Sequence, residues 1–512
     1  MKASADRGAK GTGGHGRVRI GHCVLAPLVL VGLPLMALAQ GIVVVPTFSL
    51  SETYTNNRDL KANDPQSDLI TQVSPGLSVS ARRGELQGNL TYALNGLLYA
   101  RESSLNTVYH TLASTARLDL LDGRAGLNAS ASASRQTVSA FGTQGSDPVS
   151  NNGNQTQVFS YSLAPYFTGR LLGDVAYRAS AGYAASRTGS STVGDTATLN
   201  ASVGLSGRRG PIGWGLDASR DISETGDRPR SHNGRVGGSI SYAPDVELQL
   251  SMRAGTEVDD LLTGRSERTT TWGAGLSWVP GPRTSLSLDY DRRFFGRSYA
   301  ATFSHRMART IWTAGDSRSL QTGGATGRGV ASTYELFYAQ FASIEPDPVR
   351  REALVRSFLA ANGLDPNTQV IVGGFLSSQP TVTRNQNLSV AYQGLRATLA
   401  VSYVRTRSTS LVTGGLGGDD LSSGGVVRQQ GWNLSLSHRL TPEASLVVSA
   451  SQQRTGSTGT QAGNSLRTLV ATWSGRLGPR ANVSVGGRYA VSDGDVNGYH
   501  ESALIGTLSV QF

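Results

Sequence analysis

Apolar and polar residues alternate one by one, in segments of about ten residues, through most of the chain. Leucine and tyrosine alternate with threonine, alanine and asparagine at 90–95, and the same pattern returns at 246–253, 285–293, 398–403 and 432–437. A period of two predicts β-strands with one apolar and one polar face. Because such segments recur from Val43 to Phe512, we expect a fold that consists mainly of strands.

The last predicted strand ends the chain on an aromatic residue. Counting back from Phe512, one face carries Val510, Leu508, Gly506 and Leu504, and the other carries Gln511, Ser509 and Thr507. This alternation suits a strand that has lipid on one side and water on the other. A terminal strand of this kind resembles the C-terminal signature of Gram-negative outer-membrane barrels, which the barrel-insertion machinery reads. The resemblance implies an outer-membrane location, contact with outer-membrane lipid, and an insertion signal at Phe512.

The first 39 residues have the pattern of a secretory signal peptide. A basic segment, Lys2–Arg19, precedes the apolar run Val24–Leu38, and Ala37-Leu38-Ala39 forms an A-x-A site. We expect cleavage after Ala39; a transmembrane anchor would need about 20 apolar residues, more than this run has. Cys23, the single cysteine, lies inside the signal, so the mature chain 40–512 has no disulfide and no cysteine-based site.

Two kinds of connection alternate between the predicted strands. Short connections contain Gly, Pro and Arg, as at 81–85 and 207–211, and long ones are rich in Asp, Asn, Ser and Gly, as at 140–155 and 409–425. Short periplasmic turns and long external loops are usual in transmembrane barrels. We therefore predict an all-β fold over 40–512: a transmembrane antiparallel β-barrel of about 22 strands, within a range of about 18 to 24.

Composition and charge agree with this prediction. Glycine, of which there are 63, disfavours helix interiors but suits many strands joined by turns. The mean hydropathy of −0.21 fits a barrel, because only alternate residues face lipid. The net charge of +11 is carried almost wholly by arginine. Nucleic-acid binding would require a clustered basic face with base-reading or stacking motifs, which the sequence lacks, so we expect no nucleic-acid partner.

One stretch, 321–382, departs from the pattern and is predicted to be a long external loop. Within it, a helix is expected at about 347–361, since Asp347 can cap it, Pro348 suits its first turn and Gly363 follows its end. Its apolar stripe would consist of Leu354, Val355, Phe358 and Leu359. Such a stripe could fold inward as a constriction, cap the mouth, bind a partner, or simply pack against the rim of the barrel.

Four segments of the chain resemble one family. They are Ile70–Leu94, Phe295–Trp312, Asp347–Asn367 and Gly373–Tyr403. The chain resembles the PEP-CTERM system-associated outer-membrane proteins, which occur with exosortase and exopolysaccharide gene clusters. The resemblance implies an outer-membrane barrel linked to exopolysaccharide production or export, with exopolysaccharide and periplasmic export components as partners. It carries over no catalytic residue.

Charged residues with the parity of the water-facing side are the candidate lumen lining. They are Arg117, Asp119, Arg178, Asp217, Glu247, Arg253, Asp289, Asp291 and Arg293. They could be ion pairs that stiffen the wall, or the lining of a polar conduit that binds a polysaccharide weakly enough to release it. The pairs Asp259-Asp260 and Asp419-Asp420 lack the ligand spacing of a calcium loop and are interpreted as solvated loop charge.

Three hypotheses of function follow from these features. The first is a conduit for exopolysaccharide export across the outer membrane. The second is a non-conducting anchor whose helical loop docks the polysaccharide or an export component. The third is a surface enzyme, which the sequence does not favour because no histidine lies in a nucleophile motif or a metal-ligand spacing. We accordingly expect no enzymatic activity, no cofactor and no metal.

Overall fold

Strands account for most of the chain in the computed structural model. It describes residues 41–512, except for parts of 323–373 and the short stretches 148, 151, 172, 191, 227–228, 263, 413–417, 423–424, 458–460 and 495–497. The predicted signal peptide therefore lies outside the described residues. Ile42–Phe512 forms one compact unit.

The first fifteen strands run consecutively, with a 3₁₀ turn at Ser103–Leu105 between the third and the fourth. They are β1 (Ile42–Thr55), β2 (Asp68–Arg83), β3 (Leu86–Tyr99), β4 (Thr107–Leu120), β5 (Ala125–Thr137), β6 (Gln155–Leu171), β7 (Val175–Thr188), β8 (Thr196–Arg209), β9 (Ile212–Thr225), β10 (Ser231–Tyr242), β11 (Leu248–Asp259), β12 (Glu267–Gly281), β13 (Thr284–Arg293), β14 (Gly296–Arg306) and β15 (Thr310–Gln321).

An insertion, 322–380, separates these strands from the last seven. It contains β16 (Gly324–Thr326), β17 (Ala331–Ser332), the helix α1 (Pro348–Ala361), β18 (Gln369–Val370) and β19 (Phe375–Ser377). The chain then continues with β20 (Thr381–Gln393), β21 (Ala397–Ser410), β22 (Val426–Arg439), β23 (Ala444–Thr455), β24 (Asn464–Arg476), β25 (Ala481–Gly494) and β26 (Tyr499–Gln511).

Twenty-two of these strands close into one antiparallel barrel. Each strand pairs with its neighbours in sequence, β15 pairs with β20 across the insertion, and β1 pairs with β26 to close the circle. The closing register runs from Thr47 opposite Gln511 to Thr55 opposite Ala503. The predicted all-β barrel, its 22 strands and the helix predicted at about 347–361 are confirmed.

The two ends of the barrel differ in their connections. At the end where β1 begins and β26 finishes, the connections are short, and we call this the turn end. Gly84, with a φ of 46°, lies in the two-residue turn between β2 and β3, a conformation that hairpin turns require and glycine adopts without strain. The opposite end, the loop end, carries the long connections 56–67, 138–154, 411–425 and the insertion, although β13 and β14 are joined there by only Phe294-Phe295.

The outer surface of the barrel is apolar. Met252 in β11 and Leu504 in β26 are 74% and 60% exposed, and Met252 lies between Ser251 and Arg253, which face the lumen. Exposed aromatic side chains follow the turn end of the wall: Phe167, Trp214, Tyr242, Trp278, Trp312, Tyr392, Trp473 and Phe512. An apolar band bordered by aromatic residues defines a transmembrane β-barrel. Among the described residues, no helix has the length and hydropathy that crossing a membrane would require.

The helix α1, within the described part of the insertion, lies in the lumen rather than outside the barrel. Val355 and Leu359 of α1 are 0% and 1% exposed and pack with Phe337 and Phe341 against Ala400 of β21. Val447 of β23 lies against the same cluster. Ala400 and Val447 lie near the turn end, on the side of their strands opposite the exposed residues Val401 and Leu446.

The predicted external placement of this segment is therefore wrong for its helix. A barrel of this width leaves a lumen that its own wall side chains cannot fill, so there is room for the helix inside it. There the inner wall covers part of the predicted apolar stripe. Leu354, the stripe's other described residue, is 37% exposed. The side chain of Phe358 lies outside the described residues.

A neighbouring pair in β8 tests the assignment of the two faces. Val203 points outward near the middle of the strand, and Ser202 points into the lumen. We expect Val203→Arg to lower the free energy of unfolding in lipid vesicles by about 2–4 kcal/mol, because it places a charge in the lipid. Ser202→Arg should cost much less, since its side chain reaches water. Equal costs in a reversible urea titration would contradict the assignment.

Candidate functional site

The lumen has one covered wall and one open wall. On β21 to β23, the lumen-facing side chains of Thr398, Ser437 and Ser445 are buried beside the insertion. On the opposite side, lumen-facing residues of β8, β11 and β12 are exposed, among them Ser202, Gln249 and Ser277. The space between the insertion and this open wall is the candidate functional site.

A first group of charged residues lies on the open wall near the turn end. Nε of Arg117 donates to Oδ1 of Asp119 at 2.9 Å, and the hydroxyl of Tyr166 donates to the same carboxylate. The guanidinium carbons of Arg117 and Arg178 each lie 5.7 Å from the centre of the Tyr166 ring. Three of the predicted residues thus meet around one tyrosine.

Tyr166 was not predicted, although the sequence contains a signal for it. In β6 it has the opposite parity to the exposed Phe159, Tyr161 and Phe167, so its ring belongs to the lumen side. Its position depends on Gly126 in β5, which lies directly opposite in the register. A Cβ at Gly126 would collide with the Tyr166 hydroxyl, so glycine allows the ring to lie flat on the wall.

A second group lies nearer the middle of the lumen, on β11 and β13. Arg253 donates from Nη1 to Oδ1 of Asp289 at 3.0 Å and from Nε to Oδ1 of Asp291 at 3.1 Å. The two strands are separated by β12, which presents Gly273 and Gly275 at these positions. Because the glycines have no side chains, Arg253 can reach across β12 to both carboxylates.

Arg293 continues this second group toward the loop end. Its Nε donates to Oε2 of Glu257 at 3.2 Å, and Asn233 donates to the same carboxylate at 2.9 Å. Glu257, which is fully buried, was not among the predicted residues, although it has the lumen parity of Arg253 in the same strand.

Two predicted residues lie apart from both groups. Asp217 is exposed on the lumen face of β9. Glu247 lies in the bend before β11, exposed at the turn end and outside the strand in which the sequence pattern had placed it. Neither Asp217 nor Glu247 forms an ion pair with another described residue.

At the loop end, a buried ion pair connects the wall to a long loop. Nη2 of Arg488 donates to Oε1 of Glu501 at 2.8 Å, and Nη1 of Arg488 pairs with Asp147 of the loop 138–154. The hydroxyl of Tyr499 donates to the carbonyl of Gln144 at 2.7 Å. Neither Arg488 nor Glu501 was among the predicted residues, although Glu501 has the parity of Thr507, Ser509 and Gln511 on the polar face of the last strand.

The carboxylates of Asp419 and Asp420 join three loop-end segments. Asp420 accepts hydrogen bonds from Ser139 Oγ at 2.7 Å and from the backbone N–H of Ala140 at 2.6 Å. Asp419 accepts from Ser377 Oγ at 2.9 Å. Burial raises the pKa of Asp420 above its ordinary value, against the effect of its hydrogen bonds. The interpretation of this pair as solvated charge is therefore wrong.

The arrangement offers charged side chains and hydrogen-bonding groups to the lumen. Arg117 keeps 56% of its side chain exposed and Asp289 keeps 44%, so both can contact a solute in the lumen. Within the described part of the chain, no three His, Cys, Asp or Glu side chains converge as metal ligands.

The architecture is shared with solved outer-membrane proteins. No family model and no curated protein matches the chain. The FrpB iron transporter (F3-3 variant) from Neisseria meningitidis is 11% identical, with a TM-score of 0.48, over 94% of this chain and 83% of that one. The siderophore receptor PiuA from Acinetobacter baumannii is 9% identical, with a TM-score of 0.45, over 91% and 82%.

OprD from Pseudomonas aeruginosa is also similar, with 9% identity and a TM-score of 0.32 over 92% of this chain and 95% of that one. At these values the similarity concerns architecture alone and carries no argument about substrate. The chain is a transmembrane β-barrel whose lumen contains its own inserted helix, and any function must be argued from that lumen.

The Arg488–Glu501 pair can be compared with an exposed one. We expect Glu501→Gln to lower the free energy of unfolding by about 3 kcal/mol, the lower end for a broken buried pair, because the buried guanidinium of Arg488 then keeps only Asp147 as a charge partner. Glu224→Gln is the matched control, since Glu224 pairs with Arg230 on the exposed surface and should contribute at most about 1 kcal/mol. Similar losses for the two variants in chemical unfolding would show that Arg488 is solvated.

Proposed function

We propose that the protein is an outer-membrane channel for exopolysaccharide export and that the insertion 322–380 is its gate. The observation that carries the proposal is the division of the lumen into a wall covered by the insertion and an open wall with exposed polar and charged residues. The proposed substrate class, exopolysaccharide, is inferred from the family that the four segments named above resemble. We assign no catalytic residue.

In this proposal the turn end faces the periplasm and the loop end faces the outside. Short turns are usual on the periplasmic side of such barrels. Phe512 is exposed at the turn end and points outward, as an insertion signal read from the periplasm requires. The polysaccharide would then enter at the turn end, beside α1, and leave between the loops.

The entrance has the charge that an anionic polymer requires. Arginines with lumen-facing register lie at the turn ends of six strands: Arg82, Arg170, Arg208, Arg306, Arg439 and Arg476. They would attract carboxylate groups, while Asp119 and Asp217 further inside limit the strength of binding. Channels need contacts that admit a substrate and still release it.

Gating follows from how the insertion is held. The helix is docked by a small apolar cluster at the turn end, and its connection to the barrel lies at the loop end. Undocking would expose the covered wall without breaking any pairing in the barrel itself.

Substitution of the buried side of the helix tests the gate. We expect Leu359→Asp to raise the conductance in planar bilayers, because an unpaired carboxylate in the apolar cluster costs several kcal/mol and increases the undocked population by at least about tenfold. Leu354→Asp is the matched control on the same helix, at a position that is 37% exposed, and should conduct like the parent protein. Equal conductances for Leu359→Asp and Leu354→Asp would show that the helix plays no part in gating.

The proposed substrate can be tested by measuring exopolysaccharide export in cells. We expect a strain without the protein to accumulate exopolysaccharide in the periplasm. A variant in which a short turn replaces 327–374 should restore export, because Thr326 and Phe375 are already opposite each other in β16 and β19. Normal export in the deletion strain would refute the proposal.

The helix inside the lumen also favours a second candidate, a non-conducting anchor that presents the insertion or loops to the export system. The channel and the anchor predict different conductances in planar bilayers. An anchor should show no conductance in the parent protein, in Leu359→Asp or in the variant lacking 327–374, and yet export should fail in the deletion strain.

A further inference from the structure

The outer face of the barrel carries a belt of arginines toward the loop end. On strands β13 to β24 the outward-facing members are Arg292, Arg297, Arg318, Arg384, Arg405, Arg407, Arg428, Arg454 and Arg467. Each lies in the half of its strand that is nearer the loop end, beyond the apolar band. This surface belongs to neither the lumen nor the gate.

Four of these arginines lie directly opposite one another on four neighbouring strands. Arg318 is in register with Arg384, Arg384 with Arg407, and Arg407 with Arg428. Side chains that are directly opposite lie about 5 Å apart at Cβ, and like charges in such pairs destabilise a sheet. We call Arg318, Arg384, Arg407 and Arg428 the arginine row.

Few carboxylates balance this charge. Asp316 accepts from Nε of Arg384 at 3.0 Å, and Asp493 lies 3.5 Å from Arg467. Among the described residues, neither Arg407 nor Arg428 forms an ion pair with a carboxylate. The row therefore maintains a like-charge repulsion that an external anion would relieve.

The position of the row indicates where that anion comes from. Tyr403 and Trp432 face outward on β21 and β22 and are about 40% exposed. Arg407 follows Tyr403 by four residues and Arg428 precedes Trp432 by four, which places both arginines roughly 13 Å nearer the loop end. Aromatic residues mark the membrane interface, so the row lies at the level of lipid headgroups.

We propose that the arginine row binds the phosphate groups of an anionic lipid in the leaflet at the loop end. Four strands about 4.8 Å apart give the row a length of roughly 14 Å, which suits a headgroup with more than one phosphate. Guanidinium groups bind phosphate oxygens in bidentate geometry and are weakly hydrated, so they suit this interface better than lysine would. The proposal depends on the fold alone and not on the exported substrate.

The test compares lipids that differ only in phosphate number. Thermal unfolding of the mature protein is measured in neutral micelles with added diphosphoryl lipid A, monophosphoryl lipid A or inorganic phosphate. We expect the diphosphoryl lipid to raise the unfolding temperature most, the monophosphoryl lipid less, and inorganic phosphate not at all. An equal shift with inorganic phosphate would overturn the proposal in favour of a free-anion site.

The decisive variant is Arg407→Gln with Arg428→Gln. We expect an apparent affinity for the diphosphoryl lipid that is about a hundredfold weaker, from the loss of two charge-assisted contacts. The matched control is Arg187→Gln with Arg220→Gln: these outward-facing arginines lie opposite Phe159 and opposite Ala201 and Gly234, so they have no arginine in register. It should bind like the parent protein.

A second measurement separates binding from a structural role. Without anionic lipid, the row variant should unfold at the same or a higher temperature than the parent protein, because its substitutions remove repulsion. A lower unfolding temperature in neutral micelles, or an undiminished response to the diphosphoryl lipid, would overturn the proposal.

Discussion

Pairing between β1 and β26 is the interaction on which the rest of the structure depends. Within lipid, every backbone N–H and C=O must find a partner in the protein, so a sheet can cross a membrane only when it has no edge. The nine register pairs from Thr47–Gln511 to Thr55–Ala503 remove that edge. The outer apolar band, the wet lumen and the difference between the two ends all require this closure.

Closing 22 strands creates a lumen wider than wall side chains can fill. Two devices occupy it. Ion pairs such as Arg253 with Asp289 and Asp291 lie along the wall, and α1 occupies space beside β21 to β23. The polar lining and the inserted helix therefore both occupy part of the wide lumen. A channel would use the space that they leave open.

The period of two could predict the fold because each residue's face is set locally. Parity from Phe512 assigned Arg253 and Asp291 to the lumen, and Gly273 between them could have revealed their contact. Local pattern carries no information on distant loops, so the pairing of Asp420 with Ser139 could not be predicted. The inward path of α1 was only one of the placements left open for the same reason, since an apolar stripe shows that Leu359 needs cover but not which surface supplies it.

The loop 138–154 reaches both sides of the line where the barrel closes. It holds β3 through the hydrogen bond from Tyr99 to the carbonyl of Val149, and it holds β25 and β26 through Arg488, Glu501 and Tyr499. The seam lies between these attachments. A barrel that unzips must first detach this loop, so the line of closure, usually the natural place for a sheet to open, is here reinforced from inside against lateral opening.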